Sequence, residues 1–210
     1  MCVKGGCAMT RRSRFFRVIA SGTVAVAALV AGGPTEARAQ SAAFDQDAAM
    51  RVFQERVESY VALHRRLAPP PSAVTATDPL SRLLTRQYLA SAIRSERRHA
   101  EQGDIFTPAV VTAFRWMFAD AIGERDGEAF LAELSGGEIV PRGLHPTINE
   151  PYSMTPLYRI SPEVRLGLPP IPREVDYRIA GHDLVLWDIY AGIVVDFVPN
   201  ALTSRVTTEE

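Results

Sequence analysis

Four polar side chains in a proline-rich stretch are the best candidates for chemistry in this sequence. His145, Asn149, Glu150 and Tyr152 place an imidazole, an amide, a carboxylate and a phenol within eight residues. Proline restricts the backbone, and restricted loops on a rigid scaffold often carry binding sites. A histidine near a glutamate can also act as a general base. We therefore take these four as candidate ligand contacts. Hydrogen bonding to their own backbone is the competing interpretation.

The other histidines give weaker signals. Glu96 and His99 form half of the paired Glu-x-x-His site of di-iron bundles, and because the second half is absent, a charged solvent-facing turn is favoured. His64 falls on an apolar helical stripe, which favours a buried, hydrogen-bonded histidine over a ligand. His182 and Asp183 suit a hairpin turn. With no Gly-x-Ser-x-Gly and no His-Glu-x-x-His motif either, we expect no metal and no cofactor.

The first 39 residues resemble a secretory signal peptide. A basic region (Arg11 to Arg17) precedes a short apolar run (Val18 to Val30), and Ala37-Arg38-Ala39 supplies the small residues that a signal peptidase reads. A membrane span needs about 20 apolar residues, which is more than this run offers. We expect cleavage after Ala39 and a periplasmic or secreted mature chain, residues 40–210. The alternative is an uncleaved anchor on a membrane-tethered interaction protein.

The composition of residues 40–210 excludes several chemistries. Both cysteines (Cys2, Cys7) and the only lysine (Lys4) belong to the leader. Disulfides, thiol nucleophiles, Schiff bases and Walker-type phosphate loops are therefore excluded. The leader also holds six of the 23 basic and one of the 24 acidic residues, which leaves a net charge of −6. Nucleic acid and anionic membranes, which require a basic surface, are not expected as partners.

Helical patterns occupy residues from about 45 to 134. Asp45 or Asp47 caps a first helix that runs to Leu67, where three prolines follow. Asp78-Pro79 starts a second helix to about Gln102, with Leu80, Leu84, Leu89, Ala92 and Ile93 on its buried side and Arg82, Arg86, Arg94 and Arg97 on its solvated side. Thr107-Pro108 starts a third, strongly apolar helix to about Ile122, which we expect to be central. A short fourth helix spans residues 126–134.

The pattern changes in the last third of the chain. Residues 141–172 hold eight of the 15 prolines and are expected to lie as extended chain over the helices. Three segments rich in β-branched and aromatic residues follow: 175–180, 184–189 and 193–198. Gly181-His182 and Gly192 supply the turns. This predicts a three-stranded antiparallel meander packed on the helices. Residues 203–210 are expected to fray.

Several runs resemble a group of exported bacterial proteins to which no activity is assigned. These are Gly103-Asp104-Ile105-Phe106-Thr107-Pro108, Leu168-Pro169-Pro170-Ile171-Pro172, Val175-Asp176-Tyr177-Arg178, Asp183-Leu184-Val185-Leu186-Trp187-Asp188 and Ile193-Val194-Val195-Asp196-Phe197. The likeness covers most of the mature chain. It supports these boundaries and implies no catalytic residue.

The sequence thus predicts one α+β domain, with three to four helices, a proline-rich connection and a C-terminal meander. The predicted function is an exported, non-enzymatic protein that binds a protein or small-molecule partner, in an oligomeric state that stays open. The alternative is a histidine- and glutamate-dependent hydrolase or a metal-dependent enzyme. It would use His145 and Glu150 in the proline-rich loop, with His182 brought near by the fold.

Overall fold

The computed structural model of this protein describes residues 34–70, 78–123 and 126–202. They form helices α1 (Pro34–Leu67), α2 (Pro79–Glu96), α3 (Pro108–Ala121), α4 (Gly127–Ser135) and α5 (Pro162–Leu166). The strands are β1 (Leu157–Arg159), β2 (Val175–Ala180), β3 (Asp183–Asp188) and β4 (Ile193–Val198). The fold is therefore α+β. Most of the predicted leader, residues 1–33, and the predicted frayed tail, 203–210, lie outside the described residues.

Local sequence explains where most helices begin. The side chain of Asp78 accepts a hydrogen bond from the Ser81 N–H, Thr107 caps α3 and Asp126 caps α4. Each cap satisfies an N–H that has no partner inside its helix. The described part of helix α1 extends beyond Asp45 and Asp47 to Pro34, so the predicted start at these aspartates was wrong. The helix therefore continues through the predicted cleavage site.

The sheet has four antiparallel strands in the order β1-β2-β3-β4. The predicted three-stranded meander forms as β2 to β4, and the prediction was wrong in omitting β1. This three-residue strand comes from the proline-rich segment and pairs Leu157 with Ala180 of β2. It lies at the sheet edge, where the backbone N–H groups that prolines lack are needed least.

Alternation along the strands gives the sheet two different faces. Leu184 and Leu186 of β3 join the main core with the helices, whereas Val185 and Trp187 face the other side. That other face is covered by the proline-rich segment, through side chains such as Ile148 and Tyr152. The prediction that this segment lies over the helices was therefore wrong for its first part, but Ile160, Val164 and Leu168 from its second part join the main core with the helices.

A bulge in β4 turns a carboxylate toward the helices. The register shifts between Leu186 and Trp187, so that Asp196 lies opposite Leu186 and Val194 opposite Trp187. The buried Asp196 accepts hydrogen bonds from the backbone N–H groups of Gly103, Ile105, Phe106 and Phe197. This explains why α2 ends at Glu96 rather than near Gln102: the following chain forms a loop around Asp196.

Only part of the predicted buried side of helix α2 is buried. Leu89, Ala90 and Ile93 are buried, but Leu80 is 60% and Leu84 56% exposed. Arg82 and Arg86 are exposed, as predicted, and line cavities. Among the described residues, only the C-terminal half of this helix contributes to the core, which leaves the leucines near its start exposed.

No helix in the described part of the chain combines the length and apolar character needed to cross a membrane.

Candidate functional site: the cleft beside His64

A cleft of about 630 Å³ opens where the end of α1 and the middle of α2 meet the residues flanking β2 and β3. We call it the His64 cleft. Its lining is His64, Arg65, Ala68, Pro69, Pro70, Arg82, Thr85, Arg86, Leu89, Arg173, Glu174, Ile189 and Tyr190. An apolar lining with a few convergent polar groups is typical of small-molecule sites.

The position of Asp188 follows from strand alternation. It lies on the same face of β3 as Leu184 and Leu186, which is the face that packs on the helices. A buried carboxylate there requires hydrogen-bond donors, and α1 supplies two. Nδ1 of His64 donates to Oδ2 of Asp188 at 2.6 Å, and the Tyr60 hydroxyl donates to the same oxygen at 2.7 Å. Their four-residue spacing places both on one helical face.

The second oxygen of Asp188 organises the turn between β3 and β4. Its Oδ1 accepts hydrogen bonds from the backbone N–H groups of Tyr190, at 2.9 Å, and Ala191, at 2.7 Å. The Tyr190 ring then lies edge-on to the His64 imidazole, with 5.8 Å between centroids. Asp188 therefore fixes both the imidazole and one wall of the cleft. With Nδ1 engaged, Nε2 is the imidazole nitrogen that remains for a ligand.

Tyr60 remains a hydrogen-bond donor because its ionisation is suppressed. Burial and the Asp188 carboxylate raise the pKa of Tyr60 well above its usual value, although the Arg97 guanidinium opposes this. That guanidinium lies 5.1 Å from the centre of the Tyr60 ring. The phenol thus stays protonated at any ordinary pH.

The charges of the cleft are unbalanced. Arg65 donates from Nε and Nη2 to the two carboxylate oxygens of Glu174, at 2.9 and 3.1 Å. These bonds hold the pKa of Glu174 below its usual value, although burial opposes the shift. Arg173 approaches the same carboxylate only to 3.8 Å. Within the described residues, Arg82 and Arg86 have no carboxylate partner, which leaves the cleft cationic.

Among the described residues, no side-chain hydrogen bond or ion pair joins any two of the four residues predicted from the proline-rich loop. His145 donates from Nδ1 to Asp183 at 2.7 Å and stacks on Phe197, with 5.9 Å between ring centroids. Glu150 forms an ion pair with Arg94 at 3.1 Å. The hydroxyl of Tyr152 bonds to that of Thr155 at 2.7 Å.

Asn149 has a structural role. It adopts a left-handed backbone, with φ of 62°, and its N–H donates to the Val194 carbonyl. Its Oδ1 accepts from Arg97 Nη1, and its Nδ2 donates to the Arg97 carbonyl, both at 2.9 Å. These bonds attach the proline-rich segment to β4 and to the end of α2.

His182 does not share a hydrogen-bond partner with His145. His145 bonds to Asp183, the residue after His182, whereas His182 itself bonds to Glu128. Its Nε2 lies 3.1 Å from Oε1 of Glu128, which also pairs with Arg142. Its Nδ1 is buried and has no hydrogen-bond partner in the described part of the chain. Across the part of the chain that the structure describes, no three histidine, cysteine, aspartate or glutamate side chains lie close enough together to hold a metal ion.

The sequence did contain a signal for the His64 cleft. Asp188 falls on the core-facing positions of an apolar strand, and a carboxylate there must be paired. Tyr60 and His64, four apart on the apolar stripe of the first helix, are the matching donors. Each signal was visible alone, but the pairing joins residues 124 apart, and no local pattern reports it.

No protein-family model, curated protein or solved structure matches this chain. The resemblance to exported bacterial proteins therefore stays a prediction.

Proposed function

We propose that this chain is an exported, non-enzymatic protein that binds a small organic anion in the His64 cleft. The observation that carries the proposal is the combination of an apolar lining with the cations Arg82 and Arg86, which have no carboxylate partner among the described residues. Like charges four residues apart on one helix are unfavourable. A bound anion would relieve that cost.

The lining suggests how such a ligand would be arranged. Ala68, Pro69, Leu89 and Ile189 offer apolar surface to a hydrocarbon or aromatic body. Arg65 is already neutralised by Glu174, so the anionic group belongs at the α2 side, near Arg82. An apolar body with one acidic group fits both features.

Export is part of the proposal and rests on the leader sequence. The order of basic, apolar and small residues before Gln40 supports cleavage by a signal peptidase. N-terminal sequencing of protein recovered from the periplasm or medium tests this. A chain that begins at Gln40 supports export, and an intact leader contradicts the proposed cleavage.

Binding can be tested with two fluorescent probes. Anilinonaphthalene sulfonate carries an aromatic body and one negative charge, and N-phenylnaphthylamine has a similar body without the charge. We expect saturable binding of the sulfonate by the full chain and weaker binding of the neutral probe. Arg82→Gln should weaken sulfonate binding about tenfold, which corresponds to about 1.4 kcal/mol. Binding of the neutral probe should not change.

The matched control is Arg51→Gln, which removes the same charge from an exposed position of α1. We expect it to leave sulfonate binding unchanged. Equal affinities of wild type, Arg82→Gln and Arg51→Gln would contradict the proposal, since the probe would then not depend on the cleft.

The second candidate is a histidine-dependent hydrolase. The bond from His64 to Asp188 favours it, because a carboxylate that orients an imidazole is a common catalytic arrangement. His64 is better placed than His145 because it lines a cleft. Release of nitrophenol from nitrophenyl esters, lost in His64→Gln, would favour this candidate over the non-enzymatic one. Equal release by both proteins would count against it.

A further inference from the structure

A second cavity, of about 520 Å³, lies at the same end of the sheet and is rich in arginine. We call it the arginine basin. It is lined by Arg86, Leu157, Arg159, Arg165, Arg173, Val175, Asp176, Arg178, Trp187 and Ile189. Five of these residues are arginines and one is acidic. Arg86, Arg173 and Ile189 also line the His64 cleft, so the two cavities share a wall.

Two of the arginines are opposed within the sheet. Arg159 of β1 lies directly across from Arg178 of β2 in the antiparallel register. Like charges at such positions destabilise a sheet. Arg165 of α5 adds a third positive charge close by. The fold therefore concentrates cations where a sheet would ordinarily place a neutral or opposite-charge pair.

The counter-charge within the basin is insufficient. Asp176 accepts a hydrogen bond from Arg178 at 2.8 Å and another from Arg165, so both bonds fall on one carboxylate. Nε of Arg178 is buried and has no hydrogen-bond partner among the described residues. Burial lowers the pKa of Arg178, Asp176 opposes that shift, and the charges of Arg159 and Arg165 reinforce it. Arg86 and Arg159 have no ion-pair partner within the described residues.

We propose that the arginine basin binds the phosphate group of a small phosphorylated molecule. Arginine offers planar, forked donors that match the oxygens of phosphate, and this part of the chain has no lysine to serve instead. A carboxylate ligand would bring one charge and two oxygens. A phosphate monoester brings nearly two charges and three terminal oxygens, and can accept donors from β1, β2 and α5 together.

The shape of the site favours a small molecule over a nucleic acid. The cations converge on one concavity rather than forming a stripe along the surface, and residues 40–210 carry a net negative charge. The basin thus has the local charge of an anion site within an acidic protein.

Calorimetric titration of the full chain with inorganic phosphate and with phenyl phosphate, at constant ionic strength, tests the proposal. We expect saturable binding with a Kd below about 1 mM, weakened about tenfold or more in Arg159→Gln. This variant leaves the pairs of Asp176 in place, so the sheet should stay folded, and circular dichroism checks that it does. Arg51→Gln, which removes an exposed charge from α1, should bind as wild type does.

The two titrants distinguish the sources of the phosphate. Tighter binding of phenyl phosphate identifies a phosphorylated organic molecule, as proposed. Preference for inorganic phosphate would overturn that part in favour of the free ion. Absence of saturable binding to either, or equal affinity in a folded Arg159→Gln, would overturn the site itself. Arg82 lines the His64 cleft but not the basin, so Arg82→Gln should bind phosphate as wild type does. Failure of one site can therefore be told apart from failure of the other.

Discussion

His64 and Asp188, 124 residues apart in the chain, are joined by a hydrogen bond of 2.6 Å that connects the last turn of α1 to the end of β3. The Asp188 carboxylate also accepts from the Tyr60 hydroxyl and from two backbone N–H groups. One buried side chain therefore orders a helix, a turn and an imidazole. Positioning the cleft and stabilising the fold depend on the same group.

Asp188→Asn should destabilise the protein by about 2–3 kcal/mol, because bonds to a charged acceptor are stronger than bonds to an amide and one oxygen becomes an N–H₂ donor facing other donors. Urea unfolding followed by circular dichroism measures this. Asp120→Asn, at an exposed position of α3, is the control and should change stability by less than about 0.5 kcal/mol. A similarly small change in Asp188→Asn would show that the carboxylate does not hold these elements together.

Phe114→Ala should lower the free energy of unfolding by about 3–5 kcal/mol, because it leaves a cavity in the core. Phe114 is fully buried, and its ring centroid lies 4.7 Å from that of Phe53, 5.0 Å from Phe106 and 5.9 Å from Tyr177. Trp116→Ala on the same helix is the control, since Trp116 is 69% exposed. Equal losses in the two variants would mean that α3 does not present this face to the core.

The sequence predicted the elements that local patterns specify. Residues 175–180 and 193–198 form strands with the predicted bounds, because β-branched runs between turn residues are sufficient to define them. Helices α2, α3 and α4 start where the caps predict. These signals are contained within a few residues, so one sequence is enough to recognise them.

Contacts between distant segments were not predictable in the same way. Leu80 and Leu84 fit a buried stripe by spacing, but whether a stripe is covered depends on what packs there. The first part of the proline-rich segment was also expected on the helices, because the second face of the sheet, which it covers, has no local signature. The residues of the His64 cleft and of the arginine basin come from four or more segments, so neither site forms a motif.

Glu174 should make stability depend on pH with a defined sign. The bonds from Arg65 lower its folded-state pKa below the ordinary value of 4.5. Its contribution is therefore present above that value and is lost as the pH falls through the lower folded-state pKa. Urea unfolding at several pH values measures this. At neutral pH the free energy of unfolding of wild type should exceed that of Glu174→Gln by about 1 kcal/mol, and this difference should vanish in acid.

Other carboxyl groups affect how the stability of each protein depends on pH, but not the difference between wild type and Glu174→Gln. Burial raises the pKa of Asp183 and of Asp196, so each of them favours folding as the pH falls, which is the opposite sign. Both are present in wild type and in Glu174→Gln, so their effects cancel in the comparison. A difference that grows in acid would contradict the assigned sign.

Asn149 decides between a structural and a ligand-binding role for the loop first singled out by its composition. Asn149→Ala removes both side-chain bonds to Arg97 and leaves alanine at a φ of 62°, so we expect a loss of about 3 kcal/mol. Asn149→Gly removes the same bonds but tolerates the backbone, so it should be more stable than the alanine variant by about 1 kcal/mol. Thermal and urea unfolding of both variants measure these values.

If both unfold as wild type does, the bonds to Arg97 contribute nothing, and the asparagine is free to serve a ligand. The ordering wild type, glycine, alanine would instead show that the loop is built around Asn149, because a ligand contact would leave the stability of the free protein unchanged.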